Sequence, residues 1–224
     1  KKGINWDKEL ADKIDRELIG LIQEREEYIR EALGFLPNID SPPQMSDLFY
    51  RLLAQPKKYD RGTGSVSCND EALTKIGEKE PILYPITIRI SEIRSISKLM
   101  EITRVKLYEN TRFLNSYNIG GTGTYRYSSS KNAFEEGANS QNLSDGSRST
   151  IALPNMRKLF IPDEGMTYFD SDYDSADLRI VAAEADEQEI FAMLNEGKKV
   201  YVEVMKEYFK NQNMTKNDPF YVKF

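Results

Sequence analysis

Four aspartates crowd into residues 170–177 of this 224-residue chain, at the start of the stretch FDSDYDSADLRIVAAEAD (residues 169–186). Asp170, Asp172 and Asp174 alternate with other residues, and Asp177 follows three positions later. If the stretch is extended, the first three carboxylates point the same way at a spacing of about 7 Å. Like charges placed so closely are unfavourable unless a cation or water separates them. Hard divalent ions take oxygen ligands, so the stretch is a candidate magnesium or calcium site.

Other interpretations of these carboxylates stay open from the residues alone. The aspartates could be solvated at a strand end, with Asp174 or Ser175 capping the next helix. A calcium-binding helix-loop-helix is disfavoured, because counting from Asp170 puts Ser175 at the turn glycine and Val181 at the closing glutamate. The chain has no histidine, which removes histidine-based triads and most zinc sites. Any chemistry must therefore use carboxylates, hydroxyls and cations.

The residues around the acidic cluster predict a strand, a turn and then helices. An apolar lead-in at residues 166–169 predicts a buried strand that ends at the cluster. The inner face of the helix that follows is predicted to carry Leu178, Val181, Ala182 and Ala185. Asp186 and Glu189 form a capping-box pattern before a second helix over residues 190–194. A last helix is predicted over residues 199–210.

Two longer periodic stretches earlier in the chain predict a helical hairpin. Apolar residues recur at three- and four-residue spacing over residues 7–33, and Gly34 ends that helix. Such a helix is roughly 40 Å long and needs a partner for its apolar stripe. Residues 90–110 carry a similar apolar face and predict the antiparallel partner. A short helix near residues 44–53 and a loop over residues 56–65 lie between them.

The chain is acidic, with 31 lysines and arginines against 36 aspartates and glutamates and a net charge of −5. Bulk attraction to nucleic acid is therefore excluded, and any basic surface must be local. Between Arg89 and Arg112 there are six basic residues against three acidic ones. Arg94 and Lys98 are four apart and share a helical face. This pattern suits either a solvated helix face or a surface that follows a nucleic-acid backbone.

Residues 115–150 are rich in glycine, serine and asparagine, a composition that flexible linkers share. They also contain Tyr117, Tyr125, Tyr127 and Phe134, which are unusual in a linker. Amide and hydroxyl side chains in the same segment suit hydrogen bonds to phosphates and groove edges. We therefore expect an ordered binding loop rather than a linker.

Two observations bound the location of the protein. The longest uninterrupted apolar run, Ile190–Leu194, is too short to cross a bilayer, which predicts no membrane partner. Cys68 is the single cysteine, so there is no internal disulfide and the chain fits a reducing compartment. We expect a cytoplasmic protein.

Several segments, in chain order, resemble the motifs of A-family DNA polymerases. Residues 172–179, DYDSADLR, resemble the first catalytic motif, DYSQIELR. The other resemblances are residues 38–41 to an N-x-N-S turn, 93–99 to the YRxLxKL thumb helix, 124–130 to TGRLSSS, 139–142 to NLQN and 157–160 to IRRAF. The resemblance therefore covers nearly the whole chain, from the thumb into the palm.

The resemblance implies an α+β fold, with a long antiparallel helical thumb followed by part of a palm with a β-sheet and the start of the fingers helices. Residues 1–114 would form the thumb, 115–185 the first part of the palm, and 186–224 helices leading into the fingers. Phe224 falls about where the fingers helix would begin. We therefore expect a fragment, or one piece of a split polymerase, that is inactive alone. The divergent motifs favour a phage-type system.

The activity implied by the resemblance is template-directed nucleotidyl transfer to a primer 3′ hydroxyl, by a two-metal mechanism. Asp172 would be the catalytic residue and, with the backbone carbonyl of Tyr173, would bind two Mg²⁺ ions. The second carboxylate ligand would come from outside this chain. Asp177 stands where the family has a glutamate against the incoming sugar, and with Ser175 and Ala176 would contact the nucleotide.

The partners implied are primer–template DNA, deoxynucleoside triphosphates and a complementary polymerase half that carries the fingers and the rest of the palm. The implied DNA contacts are Arg94, Lys98, Arg126, Ser128, Asn139, Gln141 and Asn142. An Asp-x-His segment of the family appears here as Lys199-Val200-Tyr201. The implied setting is the cytoplasm of a bacterial host or a phage-infected cell.

Two rival functions remain open at this point. The chain could be a non-catalytic DNA-binding subunit of a replication complex, with a vestigial acidic cluster. It could also belong to a polymerase that incorporates ribonucleotides, because Asp177 is one methylene shorter than the glutamate it replaces.

Overall fold

The computed structural model describes residues 3–60, 62–124, 126–146 and 151–215. Its helices are α1 (Lys8–Leu33), α2 (Pro42–Ser46), α3 (Asp70–Lys79), α4 (Tyr84–Thr103), α5 (Ala176–Glu184), α6 (Gln188–Asn195) and α7 (Val200–Tyr208). Its strands are β1 (Ile4–Trp6), β2 (Arg112–Phe113), β3 (Ser116–Asn118), β4 (Ser128–Ser130) and β5 (Phe160–Ile161). This mixture of helices and small antiparallel sheets confirms the α+β class.

The chain divides into two compact units, Lys1–Thr167 and Tyr168–Phe224. The first unit contains α1 to α4 and all five strands, and the second contains α5 to α7. This boundary separates packed bodies and does not test function, so the division into thumb, palm and fingers at residues 114 and 185 stays a prediction.

Helices α1 and α4 form the predicted antiparallel pair. Helix α1 begins after Asp7, whose carboxylate accepts a hydrogen bond from the Leu10 N–H, and it ends at Gly34 with a φ of 78°. Near the start of α1, Asp15 binds Arg104, which directly follows α4. The helices therefore run in opposite directions, and the predicted limits of α1 are confirmed.

Helix α4 is displaced toward the N-terminus from its predicted range of 90–110. It begins at Tyr84 with Pro85 in its first turn, where a missing N–H costs nothing, and Ile86 is buried. It ends at Thr103, so Leu107 lies beyond the helix and packs on the core from irregular backbone.

The segment between these two helices is more helical than predicted. The helix expected near residues 44–53 is α2 followed by a π-helical turn over Asp47–Leu52. Helix α3 is an addition to the predicted elements. It begins at Asn69, whose side chain accepts a hydrogen bond from the Ala72 N–H at 2.9 Å.

The first unit has two apolar clusters. The sheet-side cluster joins the first half of α1 to the strands, and its centre is a ring contact of Trp6, Phe113 and Phe160 with centroids 5.0–5.4 Å apart. The tip cluster lies at the other end of the helical pair. It contains Ile29, Met45, Phe49, Leu73 and Ile90.

Two small antiparallel sheets lie in the first unit. Strand β1 is central in a sheet of order β2-β1-β5. Strands β3 and β4 form a separate hairpin in which Tyr117 pairs with Ser129. Residues 115–150 were expected to form an ordered loop, and their described part contains this hairpin.

The second unit packs less apolar surface than predicted. On the predicted inner face of α5 only Ala182 is buried, whereas Val181 is 59% exposed. The capping box predicted before α6 is wrong. Asp186 has a left-handed φ of 55°, and its carboxylate accepts a hydrogen bond from the side chain of Gln188. Within the described residues, the structure contains no helix of sufficient length and apolar character to cross a membrane.

A pH-dependent contact joins α1 to the end of α4. The Asp15 carboxylate accepts hydrogen bonds from Arg104 Nε and Thr103 Oγ1, each at 2.8 Å. The bond from Arg104 lowers the pKa of Asp15 below its ordinary value. This contact therefore stabilises the fold above about pH 4 and is lost as pH falls through the lowered pKa.

We expect Asp15→Asn to lower the Tm at pH 7, because Arg104 loses its charged partner. The difference in Tm from the unaltered chain should shrink as the pH is lowered below about 4. Thermal melts across this pH range measure the effect. Asp12→Asn, at an exposed position on the same helix, is the matched control and should show no such change. An Asp15→Asn deficit that is the same at every pH would contradict the assignment.

Candidate nucleic-acid and metal site

The acidic stretch lies on irregular backbone and not at a strand end. Residues 162–175 form turns and coil, and Phe169 in the apolar lead-in is 91% exposed. The prediction of a buried strand over residues 166–169 is therefore wrong. No described strand lies beside this segment to pair with it, and an unpaired extended segment leaves its backbone groups to water.

Asp172 is exposed, and among the described residues no hydrogen bond or ion pair engages it. The neighbouring Tyr173 is 87% exposed. Asp170 is exposed as well. A hydrated carboxylate without a partner can bind a cation without first breaking a contact inside the protein. Asp172 is therefore available as the predicted ligand.

Asp174 differs from Asp172 because a lysine neutralises it. Lys199 Nζ lies 3.3 Å from Asp174 Oδ1, and this pairing lowers the pKa of Asp174. The prediction that Asp174 or Ser175 caps α5 is wrong. Ser175 precedes α5 with a left-handed φ of 57°, and its hydroxyl donates to Asp174 rather than accepting from the helix.

Arg179 fixes the backbone that follows the acidic stretch. Its Nε donates to the Asp174 carbonyl at 3.1 Å, and its two other nitrogens donate to Asn195 Oδ1 at 3.1 Å and to the Leu194 carbonyl at 3.3 Å. The start of α5 is thereby tied to the end of α6. Local sequence patterns did not predict the contacts of Arg179 with the end of α6 or of Lys199 with Asp174, because they join residues 15 to 25 positions apart.

The predicted nucleotide contacts lie at the start of α5. Asp177 is exposed in the first helical turn, where a carboxylate interacts favourably with the helix dipole. Ser175 and Ala176 are half-buried. The second unit thus contains all the predicted metal and nucleotide residues within one short segment, and their contact with a nucleotide stays a prediction.

The predicted DNA contacts of the palm build an ordered network around the β3–β4 hairpin. Buried Ser129 donates to Asn139 Oδ1 at 2.7 Å, and the same oxygen accepts the Gln141 N–H at 3.0 Å. Gln141 Nε2 donates to the Tyr127 carbonyl at 2.7 Å. Ser128, on β4, is half-buried. These hydrogen bonds fix the conformation of the loop. A flexible linker would have no such network.

The turn between β3 and β4 brings Arg126 to an exposed position. The Arg126 N–H donates to Thr122 Oγ1 at 2.9 Å, which closes the turn. An added Cβ at Gly121 would lie 2.4 Å from Ser128 Oγ and 2.8 Å from Asn118 Nδ2, so these two side chains would have to move to admit it. Tyr125 and the side chain of Asn142 lie outside the described residues.

The basic residues around α4 are mostly bonded inside the protein. Two of them form ion pairs, Arg104 with Asp15 and Arg112 with Asp163. Two donate hydrogen bonds to backbone carbonyls, Arg94 to two of them and Lys106 to that of Phe134. The guanidinium of Arg89 lies over the Tyr28 ring, 3.7 Å from its centroid. Of these six cations, all described, Lys98 alone has neither an ion pair, a hydrogen bond nor a ring contact, and it is exposed. The local basic excess is therefore largely structural, and DNA contact by Arg94 and Lys98 stays a prediction.

A cleft of about 1250 Å³ in the first unit is lined by two of the predicted DNA contacts, Lys98 and Asn139. Lys98 and the end of α4 lie on one wall, and Ser129 and Asn139 lie on another. The Asn38–Asp40 turn borders the same space. A cleft with a free cation and amide groups suits a polar, charged ligand.

The residues present fit part of a divalent-metal site. Asp172 and the Tyr173 carbonyl are exposed oxygen donors of the kind that magnesium prefers. In the part of the chain that the structure describes, however, no three acidic, cysteine or histidine side chains converge on one point. Metal binding by Asp172 and Tyr173 stays a prediction.

The sequence profile of DNA polymerase family A matches residues 8–219. The chain therefore belongs to DNA polymerase family A. Two curated relatives are both DNA polymerase I. The one from Chloroflexus aurantiacus is 27% identical over 87% of this chain and 20% of its own length. The one from Bacillus subtilis is 30% identical over 87% of this chain and 21% of its own length.

A solved structure shares the fold. The polymerase domain of Pol1 from M. smegmatis, in complex with DNA primer-template and dNTP, has a TM-score of 0.75 and 23% sequence identity. The match covers 93% of this chain and 35% of that one. The chain thus spans about a fifth of the length of its curated relatives and about a third of this structure.

Proposed function

We propose that this chain forms the thumb and the first palm half of a DNA-directed DNA polymerase, which extends a primer 3′ hydroxyl by template-directed nucleotidyl transfer. Family membership supports the reaction class. The observation that best supports the metal site is the exposed carboxylate of Asp172, which has no partner among the described residues. The neighbouring Asp174, in contrast, forms an ion pair with Lys199.

Asp172 and the backbone carbonyl of Tyr173 are the groups that would hold magnesium. When bound, two such ions supply charge stabilisation to the attacking primer oxygen and to the leaving pyrophosphate. Arg179 fixes the backbone beside these donors, and Lys199 keeps Asp174 from competing with Asp172 as a ligand. The second carboxylate would come from outside this chain, as the resemblance to the family implies.

The start of α5 would contact the incoming nucleotide. Asp177 would lie against its sugar, and Ser175 and Ala176 would line the same side. All three lie within five residues of Asp172 along the chain, which supports a shared site. The shorter side chain of Asp177 reaches less far toward a 2′ position than a glutamate would.

The first unit would hold the primer–template. Lys98 would bind a backbone phosphate, and Asn139 borders the same cleft. Arg126, Ser128, Gln141 and Asn142 would contact the duplex from the hairpin side. Minor-groove acceptors are nearly the same for every base pair, so amide and guanidinium donors there suit an enzyme that must copy any sequence.

A complementary polypeptide that carries the fingers and the remaining palm would complete the enzyme, and this chain alone would be inactive. Several large apolar side chains of the second unit are exposed and could be covered by such a partner. The most exposed are Phe169 at 91%, Tyr173 at 87% and Tyr208 at 73%. We propose a phage-type replication system in the cytoplasm of a bacterial host or an infected cell.

Primer extension with labelled primer–template, deoxynucleoside triphosphates and magnesium tests this proposal. We expect no extension by the chain alone and extension when the complementary polypeptide from the same source is added. Extension by the chain alone would contradict the proposed incompleteness.

The second candidate function is a non-catalytic DNA-binding subunit. It is favoured by the lack of a convergent acidic cluster in the described residues. It predicts that the chain binds primer–template, while the assembled complex extends equally well with or without the Asp172 carboxylate. Offering ribo- and deoxynucleotides in competition tests the ribonucleotide alternative, and a strong deoxynucleotide preference would remove it.

A further inference from the structure

Arg94 lies in the middle of α4, and its guanidinium reaches a junction of three segments. One terminal nitrogen donates to the Cys68 carbonyl at 2.7 Å, and the other donates to the Ile39 carbonyl at 3.3 Å. Asp70 Oδ1 lies 3.6 Å from Arg94 Nη1. The side chain is only 19% exposed. One cation thus joins α4 to segments that are 26 and 55 residues distant in sequence.

Both carbonyls lie directly before the start of a helix. Ile39 lies two residues before Ser41, which caps α2. Cys68 immediately precedes Asn69, which caps α3. The contact with Asp70 reaches the first residue of α3 itself. Arg94 therefore fixes the entry of two helices into the tip cluster, at the points where their direction is set.

The two carbonyls depend on this guanidinium for a partner. Among the described residues, no backbone N–H donates to either oxygen, and Ile39 is 6% exposed. A buried carbonyl without a donor is costly. The Tyr50 hydroxyl supports the same junction by donating to the adjacent Ser67 carbonyl, and burial raises the pKa of Tyr50 to about 12, so this hydroxyl remains a donor.

Lys98 is the contrasting cation on the same helix, one turn further along. It is exposed and has no ion-pair partner in the described chain. It lines the large cleft, where Arg94 does not, and both line a smaller cleft of about 600 Å³. A flexible ammonium in water can reach a phosphate, whereas a planar guanidinium already bonded to two carbonyls would first have to release them.

We propose that Arg94 is a positioning residue that sets the directions of α2 and α3 against α4, and that Lys98 alone of this pair neutralises a DNA phosphate. The sequence pattern, with two cations four residues apart, assigns them the same role, and the structure separates them. The part that concerns Lys98 rests on the proposed DNA-binding function, whereas the part that concerns Arg94 does not.

Hydrogen exchange of the full chain without DNA tests the positioning role. Arg94→Gln and Arg94→Lys should each speed amide exchange in α2 and in the first turn of α3 by about tenfold or more, because a charge-assisted bond is lost. Lysine keeps the charge but cannot bridge two carbonyls, so Arg94→Lys remains informative if Arg94→Gln fails to fold. Lys98→Gln is the matched control and should leave exchange unchanged. Unchanged exchange in Arg94→Lys would overturn the proposal.

The salt dependence of duplex binding tests whether Lys98, and not Arg94, neutralises a DNA phosphate. Each neutralised phosphate contributes about 0.9 to the slope of log K against log salt. Lys98→Gln should reduce that slope by about 0.9, and Arg94→Lys and Arg94→Gln should leave it unchanged even if affinity falls. A slope lowered by Arg94→Gln but not by Lys98→Gln would overturn the proposal. If the chain binds no duplex at all, the proposed function fails, and the exchange measurement still decides the role of Arg94.

Discussion

Primer extension by the assembled polymerase is expected to fall by about 10³-fold or more when Asp172 is replaced by asparagine. Asparagine has nearly the same shape, so the variant removes one negative charge and little else. The lost charge is the one that would hold the divalent ions against the reacting oxygens. Steady-state extension, with the complementary polypeptide and saturating magnesium, measures the effect.

Asp170→Asn is the matched control for this experiment. The same chemical change is made two residues away, at another exposed carboxylate that has no ligand role in the proposed site, and extension should stay within about twofold of the unaltered enzyme. Duplex affinity should be the same for both variants, since neither residue lies in the first unit. Equal activity of the two variants would remove Asp172 from the metal site and favour the non-catalytic subunit.

The second large effect is expected from Gly137→Ala, in the wall of the cleft. Gly137 has a φ of 75°, and an added Cβ would lie 1.4 Å from the Leu114 carbonyl oxygen. The backbone must move to admit it, and the N–H of Gly137 is bonded to the Lys106 carbonyl at 2.9 Å. We expect a loss of at least about 3 kcal/mol in the free energy of unfolding, from left-handed strain together with overlap.

Thermal melting measures this loss, which corresponds to a Tm lower by about 6–12 °C in a domain of this size. Gly20→Ala is the matched control, because Gly20 lies exposed inside α1 and an added Cβ meets nothing within 4 Å. It should stabilise the chain by roughly 0.5–1 kcal/mol. A Gly137→Ala chain that melts as the unaltered one does would contradict the close approach to Leu114.

Helix α1 shows what local sequence can predict. Its apolar periodicity, the Asp7 cap and the Gly34 stop all lie within the helix or beside it, so the predicted limits agree with the structure. Helix α3 carried similar local signals, with Asn69 before it and two acids in its first turn. Its absence from the prediction reflects a missed capping pattern and not a tertiary effect.

The acidic stretch shows where local patterns fail. The lead-in before Asp170 has the apolar character of a buried strand, yet it is exposed coil, because strands form only where a neighbour closes the ladder. The pairing of Asp174 with Lys199 was equally invisible, since 25 residues separate them. The resemblance to a catalytic motif predicts a site in this stretch, but it does not show which of the carboxylates has no partner inside the protein.

Sequence motifs and periodicity were enough to predict the family, the long antiparallel helices, the place of the acidic motif and the local excess of basic residues. The folded structure was needed to show which of those charges are available to a ligand. Asp172 and Lys98 are exposed and have no side-chain partner among the described residues. Asp174 and Arg94 are bonded to other groups of the protein. The physical reason is range: a hydrogen bond or ion pair acts over a few ångströms, and residues distant in sequence come that close only once the chain has folded.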